Sequence, residues 1–417
     1  MNWLKNAVLK VLKWLEGHTK TDMTYLAKGG FWLLLGQFVA TGSAFLASVA
    51  FANLLAPEIF GVYKFILSIN SLVLISTLSG MDSAITQSVA RGFDGTLNVG
   101  VRTKIKWGAL GTLTSFGIAL YYFMQGNMLL AISFSVAAVF VPFTESFDMY
   151  DSFLAGKQLF GVQTRYNIIK KCIALVSIIA VIYLTKNLYL IILTYFVSIT
   201  LPNIFFLHRT KKVYVDNDNV DPEAIKYGKN LSGIYIMTLI MGELDKILVF
   251  HYVGAADLAI YALATAPTDQ IKGLMKNINS LAFPKFANKT GEEIKKTIWA
   301  KVKILGLVTG VIVFIYILLA PLFFNMFFPK YLASIRYSQV LALSLIPVII
   351  AGFIATILES QKDRVGVYKY NLYGNVIGII ILLPFIYIWG LWGAVIARLI
   401  NRLVFLSVGA KIISRKN

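Results

Sequence analysis

Apolar stretches of about 18 to 25 residues recur along almost the whole chain, and this pattern limits its fold more than any other feature. Each stretch is long enough to cross a hydrocarbon core of about 30 Å as a helix that rises about 1.5 Å per residue. The chain is 58% hydrophobic and 14% charged, which is more apolar than a soluble domain requires. Because helices satisfy their backbone hydrogen bonds within one segment in lipid, the pattern predicts an all-α integral membrane protein.

Lys and Arg are concentrated on one side of about twelve predicted transmembrane helices. The spans lie near residues 29–53, 63–90, 105–124, 127–147, 169–185, 187–207, 230–250, 257–283, 302–324, 336–358, 370–388 and 391–411. Thirty basic residues fall in connections on the side of the N-terminus, and the opposite side has four: Lys64, Lys186, Lys330 and Arg336. Since basic residues mark cytoplasmic connections, both termini are predicted to be cytoplasmic.

The charge, cysteine and histidine content argues against several kinds of site. The formal net charge is +19, but most of it is this topology signal, so it does not indicate nucleic-acid binding. One cysteine and three scattered histidines provide neither an internal disulfide nor a metal-ligand spacing. The sequence has no G-x-x-x-x-G-K-[ST] phosphate loop, which argues against nucleotide hydrolysis.

Two polar segments define the predicted domain organisation. Residues 1–28 place apolar side chains on one helical face and lysines on the other, which predicts an amphipathic segment in the membrane interface. The polar connection at residues 208–229, predicted to be a cytoplasmic linker, separates an N-terminal lobe at 29–207 from a C-terminal lobe at 230–417, with six spans each. Because six is even, the lobes are expected to be related by a parallel pseudo-two-fold axis.

The seventh span carries three charges in the hydrophobic sequence MGELDKILVF, residues 241–250. Asp245 is expected about 21 Å along this helix from Leu231, beyond the middle of the membrane. A charge at that depth costs at least about 2.5 kcal/mol, so it is expected to face a protein interior or water. Glu243, Asp245 and Lys246 therefore form either an ion pair that holds helices together or part of a transport cavity.

Four further basic residues form two pairs in spans eight and twelve, each with a spacing of four. Lys272 and Lys276 project from one helical face, where like charges repel unless they share an anion or an acidic partner. Arg398 and Arg402 either bind an anion or brace neighbouring helices and lipid phosphate. The candidate anion-binding residues are Lys246, Lys272, Lys276, Arg398 and Arg402. The candidate residues for ion coupling or gating are Glu243, Asp245 and Asp269.

Several sequence segments, taken in order, resemble a family of membrane transporters. They include FANLLAPEIFGVYKFILSI after span one, GELDKILVFHYVGAADLAIYALA across spans seven and eight, and GLWGAVIARLI at the start of span twelve. The chain resembles the O-antigen and polysaccharide-unit flippases, the polysaccharide transporters of the multidrug/oligosaccharidyl-lipid/polysaccharide exporter superfamily. The resemblance implies two six-helix lobes around a central cavity that opens alternately to the two leaflets.

The resemblance also implies a substrate, a location and partners. The substrate is a short oligosaccharide on undecaprenyl pyrophosphate, carried from the cytoplasmic to the periplasmic leaflet of the bacterial inner membrane. Lys246 is expected to attract the pyrophosphate. Asp245 is expected to balance the charge of Lys246 or to gate the substrate. Transport is expected to use H⁺ or Na⁺ and no bound cofactor. The implied partners are membrane lipids, a polysaccharide polymerase and chain-length machinery.

Two other functions remain open from the sequence. A multidrug cation exporter of the same superfamily requires a mainly acidic or aromatic cavity, whereas the spans of the C-terminal half carry five basic and three acidic residues. An integral glycan polymerase is expected to display catalytic groups on a sizeable outer loop, and the predicted outer loops are short. The sequence therefore favours a transporter of an anionic substrate over an enzyme.

Overall fold

The chain is all-helical in the ranges that the structure describes. The structure is a computed structural model, and it describes residues 23–287, 291–360 and 364–414. Most of the predicted interfacial segment, residues 1–22, lies outside these ranges, and the side chain of Lys276 also lies outside what is described. Helices and short connections make up the described ranges, without any strand. The prediction of an all-α fold is confirmed.

Eight α-helices form the described N-terminal half. Their bounds are α1 Met23–Leu54, α2 Pro57–Val73, α3 Met81–Ala90, α4 Thr96–Met124, α5 Met128–Phe147, α6 Met149–Gly156, α7 Phe160–Thr185 and α8 Leu188–Tyr214. A 3-10 helix at Leu74–Thr77 follows α2, and Leu78 after it has a φ of 63°. The chain therefore bends at Leu78, and the predicted second span folds as consecutive short helices.

Six α-helices form the described C-terminal half. Their bounds are α9 Ala224–Tyr252, α10 Ala255–Ala287, α11 Gly291–Phe327, α12 Ser334–Leu343, α13 Leu345–Ser360 and α14 Arg364–Ser414. Within α14 the chain reverses at Gly390, whose φ of 55° and ψ of −129° suit glycine best. The arms before and after Gly390 run antiparallel, since the rings of Tyr370 and Phe405 lie 5.1 Å apart. The two arms correspond to predicted spans eleven and twelve.

Eight helical stretches of the described chain are long and apolar enough to cross a membrane. They are Gly30–Leu54, Pro57–Thr77, Met128–Gly156, Phe160–Thr185, Leu188–Tyr214, Val302–Phe327, Ser334–Leu358 and Val365–Ser414. The last contains 50 residues, which is enough for both arms of α14. Helices α4, α9 and α10 have 29, 29 and 33 residues but are more polar. The chain is a multi-pass membrane protein, and the count of twelve spans stays a prediction.

The two halves are in contact at both ends of the bundle, and near the start of α9 the backbone N–H of Gly80 donates a hydrogen bond to the Ser232 hydroxyl at 2.9 Å. We call the end with the α1–α2 and α9–α10 connections the distal end, and the end with Met23 the proximal end. At the distal end the rings of Phe65 and Phe250 stack with their centroids 3.8 Å apart. The backbone of α2 also approaches α10, because a Cβ atom at Gly61 would lie 1.7 Å from the Ala255 carbonyl oxygen. Only glycine permits this approach, so the halves are closely packed there.

Gly61→Val is expected to separate α2 from α10 at the distal end, since the added side chain would overlap the Ala255 carbonyl. Overpacking of this kind costs about 1–3 kcal/mol, so thermal unfolding in detergent should occur at a lower temperature than for the wild type. Gly117→Val in α4 is the matched control, because a Cβ atom there meets nothing within 4 Å. Equal unfolding temperatures for both variants would contradict the distal contact.

The connection between the halves is fastened to the N-terminal half at the proximal end. It is shorter than the predicted linker at 208–229, because α8 extends to Tyr214 and α9 begins at Ala224. The Asp221 carboxylate accepts a hydrogen bond from the Ser88 hydroxyl (2.8 Å) and pairs with Arg91 at 3.2 Å. The hydrogen bond from Ser88, together with Arg91, lowers the pKa of Asp221. These contacts hold the connection against the N-terminal half.

Candidate functional site

A cavity of about 810 Å³ lies between the two halves, on the proximal side of the distal contact. We call it the central cavity. Its walls come from α1, α2, α5, α7 and α8 on one side and from α9, α10 and α11 on the other. Aromatic rings form part of the wall: Phe51 stacks on Tyr63 with centroids 4.3 Å apart, and Tyr63 meets Tyr195 edge to face at 6.2 Å. The predicted cavity between two lobes is thus present.

Basic and acidic side chains are equal in number in the described lining of the central cavity. The lining charges are Lys64, Lys170, Lys171, Lys246, Glu145, Asp148, Glu243 and Asp269. Lys170 pairs with Asp148 at 2.5 Å, and Lys246 pairs with Glu243 at 2.9 Å. Lys64 and Glu145 form no ion pair with a described residue, and the Lys64 ammonium lies 5.3 Å from the centre of the Phe60 ring. The central cavity is therefore highly charged without a basic excess.

The prediction that placed Lys64 among the outer connections is wrong. Lys64 lies seven residues into α2, about 10 Å from its first residue at about 1.5 Å per residue, and lines the central cavity. A lysine between the apolar residues of GVYKFIL was the sequence signal for a position inside the span. The lysine therefore belongs with the site residues and not with the topology count.

Arg398 connects three helices through the acids predicted to lie inside the membrane. Its guanidinium pairs with Asp245 of α9 at 3.3 Å and with Asp269 of α10. The Tyr261 hydroxyl donates a second hydrogen bond to Asp245 at 2.6 Å. Of the two interpretations of Arg398, this geometry corresponds to a brace between neighbouring helices. The brace also places Asp269 at the boundary of the central cavity.

Asp245 and Lys246 do not pair through their side chains, although the expected role of Asp245 was to balance Lys246. The Lys246 ammonium pairs with Glu243, one turn earlier on the same helix, at 2.9 Å. From Lys246, the Asp245 carboxylate accepts a hydrogen bond of the backbone N–H alone, at 2.8 Å. The reason is helix geometry, because consecutive side chains point about 100° apart and meet different neighbours. The acid therefore pairs with Arg398 and the base with Glu243.

A second cavity of about 950 Å³ lies within the C-terminal half, among α9, α10, α13 and α14. We call it the C-terminal cavity. It brings together four predicted anion-binding residues, namely Lys246, Lys272, Arg398 and Arg402. Three residues line both cavities: Glu243, Lys246 and Asp269. Of the described residues, no group of three His, Cys, Asp or Glu side chains is arranged to hold a metal ion. The candidate site thus has two compartments with a shared wall.

A family model identifies the protein family. The model, described as "Polysaccharide biosynthesis protein", matches residues 26–289, which is well over half of the chain. The chain belongs to this family. A comparison with curated proteins by sequence found no match.

The fold of this family member is similar to that of solved transporters over nearly its whole length. The lipid II flippase MurJ in an inward closed conformation has a TM-score of 0.72 at 14% identity, covering 93% of this chain and 87% of that one. An inward-facing multidrug resistance MATE family transporter has 0.65 at 15%, with 91% and 94% covered. A MOP superfamily transporter from Pyrococcus furiosus has 0.60 at 14%, with 94% and 95% covered. The chain shares the fold of these solved transporters over nearly its whole length, as the resemblance implied.

Proposed function

We propose that this protein is a flippase for undecaprenyl-pyrophosphate-linked oligosaccharides, the repeat units of O-antigen or a related surface polysaccharide. It carries them from the cytoplasmic to the periplasmic leaflet of the bacterial inner membrane. The observation that carries the proposal is the charged and aromatic cavity between the two halves of a polysaccharide biosynthesis family member. A charged cavity in a membrane suits a polar, anionic cargo that cannot cross lipid unaided.

The lining of the central cavity suits both parts of this substrate. A pyrophosphate requires cations where the dielectric constant is low, and Lys64 and Lys246 supply them from opposite halves. Sugars require hydrogen-bonding groups and flat apolar surfaces. Asn70 lines the cavity with a buried side-chain oxygen that has no partner among the described residues, and Tyr63 and Tyr195 supply rings. Such a lining binds a sugar pyrophosphate from two sides.

The coupling proposal rests on competition for Arg398. In the structure Asp245 and Asp269 are neutralised by its guanidinium. An anionic substrate that draws Arg398 or Lys246 away leaves carboxylates without their cation, and such carboxylates take up H⁺ or Na⁺. Release of the substrate restores the ion pairs and expels the cation. Because substrate and cation are bound together and released together in this scheme, it predicts co-transport, in which an ion gradient rather than hydrolysis drives the substrate.

The distal contact forms one of the two barriers of the proposed transport path. If the proximal end is cytoplasmic, as the basic connections predict, the distal end faces the periplasm. Separation of α2 from α10 then opens the path outward, and loading from the cytoplasmic side requires the contact between Gly80 and Ser232 to open. Gly61 and Ala255 pack so closely that this contact closes the distal end of the path.

A multidrug cation exporter is the second candidate, and one observation favours it. The four acids of the described central lining match the four bases in number, and Glu145 forms no ion pair with a described cation. An exporter of cations predicts drug sensitivity in a strain that lacks the gene. A flippase predicts accumulation of lipid-linked oligosaccharide on the cytoplasmic leaflet, and a glycan polymerase predicts accumulation after transfer across the membrane. The leaflet that holds the accumulated intermediate separates these functions.

Replacing both Lys272 and Lys276 with Ala is expected to reduce surface polysaccharide strongly in a strain that lacks the chromosomal gene. The physical reason is the loss of two cations on one helical face that serve an anionic substrate. Surface polysaccharide is measured by gel analysis, and the amount of membrane-inserted protein is measured beside it. Normal polysaccharide at a normal protein level would contradict the role of these two lysines.

A further inference from the structure

The C-terminal cavity is lined by an arginine, Arg402, that takes no part in the ion pairs between the described residues. Asp245 and Asp269 pair with Arg398, and Glu243 pairs with Lys246. Each acid that lines the described cavity therefore already has a cation from the protein. Arg402 lies one turn beyond Arg398 on the same arm of α14, is half-buried, and forms no ion pair with a described carboxylate. Its charge points to an anion from outside the protein.

Polar groups suited to phosphate oxygens surround Arg402. Asn401, which is 9% exposed, lines the cavity with a side-chain amide whose nitrogen can donate a hydrogen bond. Asn375 and Thr238 meet there in a long hydrogen bond of 3.4 Å. Lys272 is exposed at the edge of the same cavity. Amide, hydroxyl and ammonium groups that surround a guanidinium are the donors that phosphate binds best.

The cavity has room for such a ligand. Its volume of about 950 Å³ is at the upper end of the range for small-molecule sites, about 300–1,000 Å³. Gly242 lines it, and a Cβ atom at that position would meet nothing within 4 Å. A purely structural arginine would be expected to fill its space with packed partners, since an unpaired cation in a membrane helix is costly. Arg402 instead borders open volume.

We propose that the C-terminal cavity binds the phosphate-bearing headgroup of a lipid, with Arg402 as its principal ligand. Two lipids share this chemistry: the undecaprenyl pyrophosphate of the substrate, and an anionic phospholipid of the bilayer. The first source rests on the proposed function and divides the substrate between compartments, with the pyrophosphate in the C-terminal cavity and the sugars in the central cavity. Lys246 and Asp269, which line both cavities, lie between the two parts of the substrate.

The test is lipid binding to the purified full-length chain, measured by native mass spectrometry. The probes are undecaprenyl pyrophosphate and phosphatidylglycerol, titrated separately. Arg402→Gln is expected to weaken binding of the occupant about tenfold or more, the usual effect of losing a charged hydrogen-bond donor. Gly242→Leu keeps every charge and fills the cavity, and it is expected to weaken the same binding. Gly233→Leu on the same helix is the control, because a Cβ atom there also meets nothing within 4 Å.

The two sources give different results. Weaker binding of undecaprenyl pyrophosphate in both cavity variants supports the substrate subsite, and weaker binding of phosphatidylglycerol alone supports a bilayer lipid as occupant. Unchanged binding of both probes to Arg402→Gln and Gly242→Leu would overturn the inference. Leaflet transfer by the wild type tests the proposed function separately. The inference fails alone if transfer proceeds while neither probe responds to the two variants.

Discussion

Arg398→Ala is expected to destabilise the C-terminal half by about 3–5 kcal/mol, the usual cost of removing one partner from a buried ion pair. Two carboxylates, Asp245 and Asp269, lose their cation in this variant. The cost comes mainly from Asp245, whose side chain is 10% exposed, because Asp269 is 41% exposed and water screens it. Thermal unfolding in detergent should therefore occur at a markedly lower temperature.

The acids themselves provide the control for the Arg398 prediction. In an Asp245→Asn, Asp269→Asn background, Arg398→Ala removes a cation that no longer neutralises any charge. The same substitution is expected to cost much less there, and the difference between the two backgrounds measures the coupling. Equal losses in both backgrounds would contradict the brace and leave Arg398 to another role.

Replacing Lys64 and Lys246 together with Gln is expected to lower leaflet transfer of the lipid-linked oligosaccharide about 100-fold. In the proposed function each lysine supplies a charged hydrogen bond to the pyrophosphate from its own half, and two such bonds at about 1.5 kcal/mol each give that factor. Because Lys246 also pairs with Glu243, the folded amount of the variant has to be measured beside transfer. Initial transfer rates in membrane vesicles are the measurement.

Lys106 and Lys212 give a matched control for the double substitution. Both are exposed, and neither forms an ion pair with a described residue, so Gln at these positions removes the same formal charge outside the cavity. Transfer by the control is expected to equal that of the wild type. If both double variants transfer equally well, the lysines of the central cavity do not serve the substrate.

The helical architecture could be predicted from sequence because it depends on local properties. The lengths of the apolar stretches predicted α1, α7, α8 and α11. Each of these helices contains a stretch that is long and apolar enough to cross a membrane. The reversal at Gly390 was predicted as a connection between two spans, although the structure has no extended loop there. Membrane crossing is imposed by the solvent on each segment separately, so it is visible without knowledge of the packing.

The pairing of the charges could not be predicted in the same way. The sequence placed Asp245, Lys246 and Arg398 in spans, but whether Asp245 meets Lys246 or Arg398 depends on how α9 and α14 pack. Lys170 and Lys171 are among the thirty basic residues that the sequence assigns to connections on the side of the N-terminus, whereas the structure places them in α7 on the central cavity. How far the central cavity reaches towards the ends of the helices depends on how the two halves pack, and the sequence alone does not show that packing.

The most direct test of the central claim is leaflet transfer of the lipid-linked oligosaccharide in sealed vesicles that contain only this protein. An imposed H⁺ or Na⁺ gradient should move the labelled lipid from the leaflet on the proximal side to the opposite one, and dissipation of the gradient should stop it. The Lys64→Gln, Lys246→Gln variant should show about one hundredth of that rate. Transfer no faster than in protein-free vesicles, under either gradient, would contradict the account.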